Sequence, residues 1–129
     1  MHCICPHRGM TEEAGSPRLG ETARSLGVRL GTDIAVSPGG LVVPGAGGMS
    51  VAPKTPMNLP VHRRPRLLLG TGRDPVWGIH ESALGSLLIF HQDSPTHGNI
   101  EPALPMPFDN FQKAISELRQ NWLKVVSGN

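Results

Sequence analysis

The chain has 129 residues, a formal net charge of +2, 38% hydrophobic residues and only 4% aromatic ones, with no tyrosine. That length fits one domain, or one domain with a tail. No apolar run approaches the ~18 residues of a membrane span, no secretory leader core opens the chain, and the weak, unclustered positive excess with few stacking rings argues against nucleic acid as the expected partner.

The chain therefore reads as a soluble protein of the producing cell's cytoplasm, with export lacking a cleaved signal left open. Thirteen prolines and sixteen glycines predict many short elements joined by tight turns. A core built mainly from Leu, Val and Ile in so short a chain predicts marginal stability.

The chain opens on "MHCICPHRG", which brings His2, Cys3, Cys5 and His7 close together. A closed zinc site uses C-x2-C or H-x3-5-H spacing with a second ligand pair, and neither is present, so no metal site is predicted. Residues 1–30 carry no sustained hydrophobic period, apart from a short helical stretch at 21–26. This segment is expected to be poorly ordered. The folded domain is expected over 31–129, incomplete at its N-terminal side.

From Val28 the texture changes. "VRLGTDIAVSPGG" alternates, with Ile34 and Val36 on one face, and ends in a Pro-Gly-Gly turn. "LVV" (41–43) and "MSVA" (49–52) follow as two short strands with Pro44-Gly45 between them, so a compact β region is predicted.

Residues 53–66 hold prolines at 53, 56, 60 and 65, which deny ladder donors and helix interiors. An irregular or polyproline-like loop is predicted there. "LLLG" (67–70) is a buried-strand candidate. "TGRDPVWGI" (71–79) is a turn followed by an extended piece. "ALGSLLIFHQD" (83–93) and "NIEPAL" (99–104) are further strands, with turns at 93–95 and 97–99.

Near the C-terminus Phe108, Phe111, Ile115, Leu118, Trp122 and Val125 recur three and four residues apart, which is one helical face. Asp109 is a candidate start cap, and Gly128 a candidate stop. Lys113 and Glu117 are spaced to pair on the exposed face.

Candidate chemistry is sparse. The run "PGAGGMS" lacks the Lys-Ser/Thr of a phosphate loop, and the prolines after Val51 forbid the helix that a dinucleotide fingerprint requires. What remains is Ser50, a hydroxyl following the Gly47-Gly48 pair, suited either to a ligand's sugar or amide or to capping a turn. Arg63, Arg64 and Arg66 form a basic cluster whose guanidinium forks match phosphate oxygens, or a solvated loop. Glu81 and Glu101 are isolated carboxylates near strand ends. No G-x-S-x-G elbow is present, so a serine-hydrolase triad is not supported.

"DIAVSPGGLVVPGAGGMSV", taken with "HGNIEPALPMPFDNFQKAISELRQNWLKV", resembles a family of bacterial toxins: the second type VI secretion exported effector of pseudomonads and its bacterial and fungal relatives. The likeness spans roughly residues 33–126. It implies an α+β architecture: a small split β-sheet of short strands with a C-terminal amphipathic helix, ADP-ribosyltransferase-like. It also implies NAD as substrate, a cognate immunity protein as partner, and action in the cytosol of a target cell.

By the same resemblance Ser50 matches the motif serine that orients the nicotinamide ribose. Gly47, Gly48, Arg63, Arg64 and Arg66 are candidate NAD contacts, and Glu101 is a candidate catalytic carboxylate. Relatives often carry Thr where this chain has Met49. The early strand whose Arg or His holds the dinucleotide is not legible in residues 1–30. A non-catalytic partner-binding module of the same fold and a small basic nucleic-acid-binding β domain are the alternatives.

Overall fold

The computed structural model describes residues 3–18, 20 and 22–129. His2 and the start of the expected helix at Glu21 lie outside them. In chain order the elements are β1 (Cys3–Pro6), β2 (Glu12–Glu13), β3 (Ser16–Pro17), α1 (Ala23–Leu26), β4 (Leu41–Val42), β5 (Met49–Ala52), β6 (Val76–His80), β7 (Leu88–Ser94), β8 (His97–Pro102), β9 (Met106–Pro107), α2 (Phe108–Ser116) and β10 (Leu123–Val126). The fold is mixed α/β, mostly short strands, with a helix near the C-terminus.

Among the described residues six strands form one sheet in the order β10-β6-β1-β5-β8-β7, and every neighbouring pair is antiparallel. The N-terminal expectation is corrected here. Cys3–Pro6 lies inside the sheet, with Ile4 opposite Ile79 and Cys5 opposite Ala52. Four residues are too few to show a period, so β1 is invisible to pattern reading. Neighbours on both sides satisfy its backbone, and both its faces are buried.

Those two faces explain why β1 holds. Ile4 joins the main core with Met49, Val51, Trp77, Ile79 and Ile100 against residues of α1 and α2. Cys5 points the other way, into a second cluster with Ala52, Leu59 and Val76. Trp77 is buried among apolar side chains, and its indole N–H donates to the Met10 carbonyl at 2.9 Å, which ties the segment after β1 to β6.

The short helix expected at 21–26 appears as α1. Thr22 accepts from the Ser25 amide, and Gly27 ends the helix in the left-handed region at φ 74°. Leu26 and Val28 anchor it in the core. The strand expected around Ile34 and Val36 reduces to isolated bridges from Ile34 to Leu30 and Gly47. Ile34 is buried and Val36 is exposed. Of the strands expected at 41–43 and 49–52, the first shortens to Leu41–Val42 and the second forms, but not as one β unit: β4 pairs with β9, and β5 pairs with β1 and β8.

The proline-rich loop winds through three 3-10 turns at Pro56–Asn58, Val61–Arg63 and Arg66–Leu68. The buried strand expected at 67–70 is contradicted: Leu67 and Leu69 are 78% and 80% exposed. Pro65 opens a turn in which the Leu68 amide donates to the Pro65 carbonyl, and Leu69 ends it at φ 60°, so these amides are not available to a ladder.

Strand β7 begins at Leu88 rather than 83, because Glu81–Ala83 forms a 3-10 turn. The hairpin turn lies after Ser94, and the turn expected at 97–99 is instead the start of β8.

The C-terminal stripe packs as its spacing predicts, with Phe111, Ile115, Leu118 and Trp122 all buried. The helix itself stops sooner. Residues Glu117–Asn121 tighten into a 3-10 turn, Trp122 is extended, and β10 adds to the sheet edge beside β6. Val125 therefore sits exposed on a strand, and Gly128 plays no part in ending the helix. Pro107 occupies the cap position without a side-chain bond, and Asp109 lies in the first turn. No ion pair joins Lys113 to Glu117 among the described residues.

Candidate functional site

Where β1 ends, the His7 amide donates to the Ser50 carbonyl at 2.9 Å and so extends the β1–β5 pairing by one residue. This register sets His7 beside Ser50 at the mouth of a cleft of about 380 Å³. Its lining comes from four chain segments: His7 and Arg8 after β1, Met49 and Ser50 on β5, Arg24, Gly27, Arg29 and Asp33 in and after α1, and Pro60, His62 and Arg63 of the proline-rich loop. The volume is of the size that holds a small ligand.

The charge is one-sided. Asp33 is the single acid in the lining, and it is engaged: its Oδ2 accepts from the Arg29 amide at 2.7 Å and lies 3.5 Å from Arg29 Nε. Arg8, Arg24 and Arg63 have no ion-pair partner within 4.0 Å among the described residues. Three guanidinium groups without a direct ion pair around one cleft favour an anion with several oxygens, such as a diphosphate.

The His7 side chain is half-buried. Its Nε2 is shut off from solvent and has no hydrogen-bond partner among the described residues. Burial holds its pKa below the usual histidine value, and His97, Arg63 and His62 push in the same direction. The shift favours the neutral ring, which can accept or donate one hydrogen bond to a ligand. The Ser50 hydroxyl likewise makes no side-chain hydrogen bond among the described residues.

Of the residues singled out in the sequence, the structure brings Ser50 and Arg63 together in the cleft. Gly9 makes room for both Asp74 and Arg63, since a Cβ there would sit 2.5 Å from Asp74 Oδ2 and 2.8 Å from Arg63 Nη1, so that a carboxylate lies near this guanidinium without a direct ion pair. Arg64 turns inward: its Nε donates to the Leu59 carbonyl at 3.1 Å and its Nη1 to the Leu68 carbonyl at 2.8 Å, bracing the proline-rich loop. Arg66 is exposed and lies outside the lining.

Gly47 and Gly48 do not line the cleft either. Gly47, at φ 108°, lies against Asp33 and Ile34, and Gly48 lies against the Ile100 carbonyl. These glycines let chain pass close to chain rather than to ligand.

Glu101 is 4% exposed, and its carboxylate faces the protein. Oε1 accepts from the Gly45 amide at 3.0 Å, and Oε2 lies 3.3 Å from His91 Nδ1. It pins the glycine loop to β8. Glu101→Ala is expected to lower stability by about 1–3 kcal/mol, because the Gly45 donor loses its partner. Glu101→Gln keeps an acceptor and should recover most of that loss. Urea unfolding of both variants checks this.

His7, Arg8, Arg24 and Arg29 escaped sequence reasoning. The signal for His7 is present in retrospect: "CICP" is a minimal apolar strand, and a histidine follows it directly.

The family model of the Tse2 ADP-ribosyltransferase toxin matches residues 7–124. This chain belongs to that family. The match runs from the cleft histidine at His7 into β10 at Lys124, so it takes in every segment that lines the Tse2-family cleft. No match was found among curated proteins or among solved structures. Among the described residues of this Tse2-family chain, no helix is long and apolar enough to cross a membrane.

Proposed function

We propose that this chain is a cytotoxic effector of ADP-ribosyltransferase-like fold that binds NAD in the Ser50 cleft and releases nicotinamide from it. The observation that carries the reading is one cleft lined by Arg8, Arg24 and Arg63, none in a direct ion pair among the described residues, together with Ser50 and a His7 whose neutral form burial favours. NAD offers the complementary order of groups: a diphosphate for the arginines, and ribose hydroxyls with a carboxamide for the neutral donors and acceptors.

In this scheme Arg8, Arg24 and Arg63 hold the diphosphate. Ser50 Oγ and the His7 ring orient the nicotinamide ribose. The bond between ribose C1′ and the nicotinamide nitrogen then breaks with the electron pair leaving on nicotinamide, and an acceptor nucleophile bonds to C1′. Positive charge builds on the ribose during this step, so a partly buried neutral histidine at that end avoids adding a repulsive cation there. His7, at the end of the early strand β1, matches the histidine or arginine that such folds use to hold the dinucleotide. Family membership further supports export by a type VI system, action in the cytosol of a target cell, and a cognate immunity protein that protects the producer.

Inducing the chain in a bacterial host and counting survivors tests the reading, together with nicotinamide release by purified protein. Ser50→Ala is expected to lower nicotinamide release by about 10- to 100-fold, as misplacement of a reacting group does, and to restore survival. Equal survival of both strains with no NAD loss in either sinks the proposal.

A further inference from the structure

Outside the cleft lining, one further group of side chains converges on it. The β7–β8 hairpin carries Asp93 and His97, whose Oδ1 and Nδ1 are 2.8 Å apart. A carboxylate only accepts, so His97 Nδ1 carries the hydrogen and the ring orientation is set by Asp93. The His97 ring then meets the His7 ring near-perpendicularly, with centroids 5.3 Å apart and planes at 89°.

The hairpin is itself held close to β5. Ser50 opposes Asn99, and Val51 opposes Gly98. Gly98 has no room for a side chain: a Cβ there would lie 2.5 Å from the Phe90 ring. The backbone thus fixes where His97 stands relative to the strand that bears Ser50.

His7 has no side-chain hydrogen bond to orient it among the described residues, and its Nε2 is unpartnered. Packing is what restrains its side-chain torsions, and within that packing His97 supplies an edge-to-face ring contact. Resting on the NAD reading above, we propose that Asp93 and His97 are positioning residues: Asp93 fixes His97, and His97 fixes the His7 ring in the orientation the ribose end of NAD requires. Neither residue touches the ligand in this scheme.

The test compares Asp93→Ala, Asp93→Asn, His97→Ala and His97→Phe in the full chain. Two readouts are used: calorimetric NAD affinity, and the nitrogen-resolved NMR signals of the His7 imidazole without ligand. Asp93→Ala and His97→Ala are expected to weaken NAD binding by about 2- to 10-fold, the scale of one lost ring contact, and to shift or broaden the His7 signals. Asp93→Asn keeps an acceptor for His97 Nδ1 and should restore both readouts. His97→Phe keeps a ring against His7 but loses the bond to Asp93; it guards against a variant that fails to fold, and it should perturb the His7 signals as Asp93→Ala does.

Unchanged His7 signals and NAD affinity in Asp93→Ala and His97→Ala would overturn the proposal. If the unmutated chain does not bind NAD, the functional reading fails by itself, while the His7 signals still decide whether the hairpin orients the ring.

Discussion

Arg63→Glu is expected to reduce NAD affinity by at least about 100-fold, and Arg63→Ala by about 10- to 100-fold. Arg63 reaches the cleft from the proline-rich loop and has no carboxylate within ion-pair distance among the described residues. Asp74 lies near it without a direct ion pair, so its guanidinium keeps donors for a ligand, and a charge-assisted hydrogen bond to a phosphate oxygen is among the stronger single contacts a site can make. Reversal does more than remove it: a carboxylate beside a diphosphate is repelled, and it is also drawn to Arg8 and Arg24, which would then be less available. Binding by the unmutated chain should weaken with added salt, as screening of a partly exposed cleft requires. Arg66→Glu is the control. Arg66 lies outside the lining, so affinity should stay within about twofold. Calorimetry at two ionic strengths measures all of this. Equal losses for Arg63→Glu and Arg66→Glu would mean that overall charge, not the cleft, sets affinity.

The second large effect is on stability. Gly48→Ala is expected to cost about 3 kcal/mol, at the upper end for overpacking, because the added methyl would collide with the backbone carbonyl of Ile100. Rotamer adjustment cannot relieve this, since the obstacle is main chain and the two strands are already paired, with Met49 opposite Ile100. Relief requires β5 to move off β8. Such a shift would carry Ser50 with it, so the cleft should weaken along with the fold. Gly39→Ala makes the contrast: nothing lies within 4 Å of a Cβ there, and the change should stay within about 0.5 kcal/mol. Urea unfolding of both variants reads the difference directly. A Gly48→Ala midpoint equal to that of the unmutated chain would show that the strands are less tightly apposed than the geometry requires.

Local pattern predicted several elements because each is decided by its own residues. "MSVA" becomes β5, and the buried stripe from Phe111 to Trp122 packs on the core, since both depend on apolar periodicity over a short span. The prolines at 53, 56, 60 and 65 likewise dictate a loop without a ladder, by removing donors. The resemblance on the "GGMSV" motif led to Ser50, and the structure sets that residue in the arginine-lined cleft.

Other features were settled only by tertiary packing. "LLLG" is as apolar as any strand in the chain, yet Pro65 and the 3-10 turn commit its amides locally, so Leu67 and Leu69 face solvent. "CICP" is too short to announce itself and becomes an inner strand because β5 and β6 supply partners on either side. That one placement brings His7 to Ser50. The three arginines of the loop show the same division: one sequence cluster contains a cleft residue, a loop brace and an exposed side chain, and only the path of the backbone tells them apart. By itself the sequence determined residue chemistry and local periodicity, which include the hydroxyl, the guanidinium groups, the donor-poor loop and the amphipathic stripe. Tertiary structure decided which of those groups meet, because strand pairing joins residues more than forty positions apart and no local spacing encodes that register.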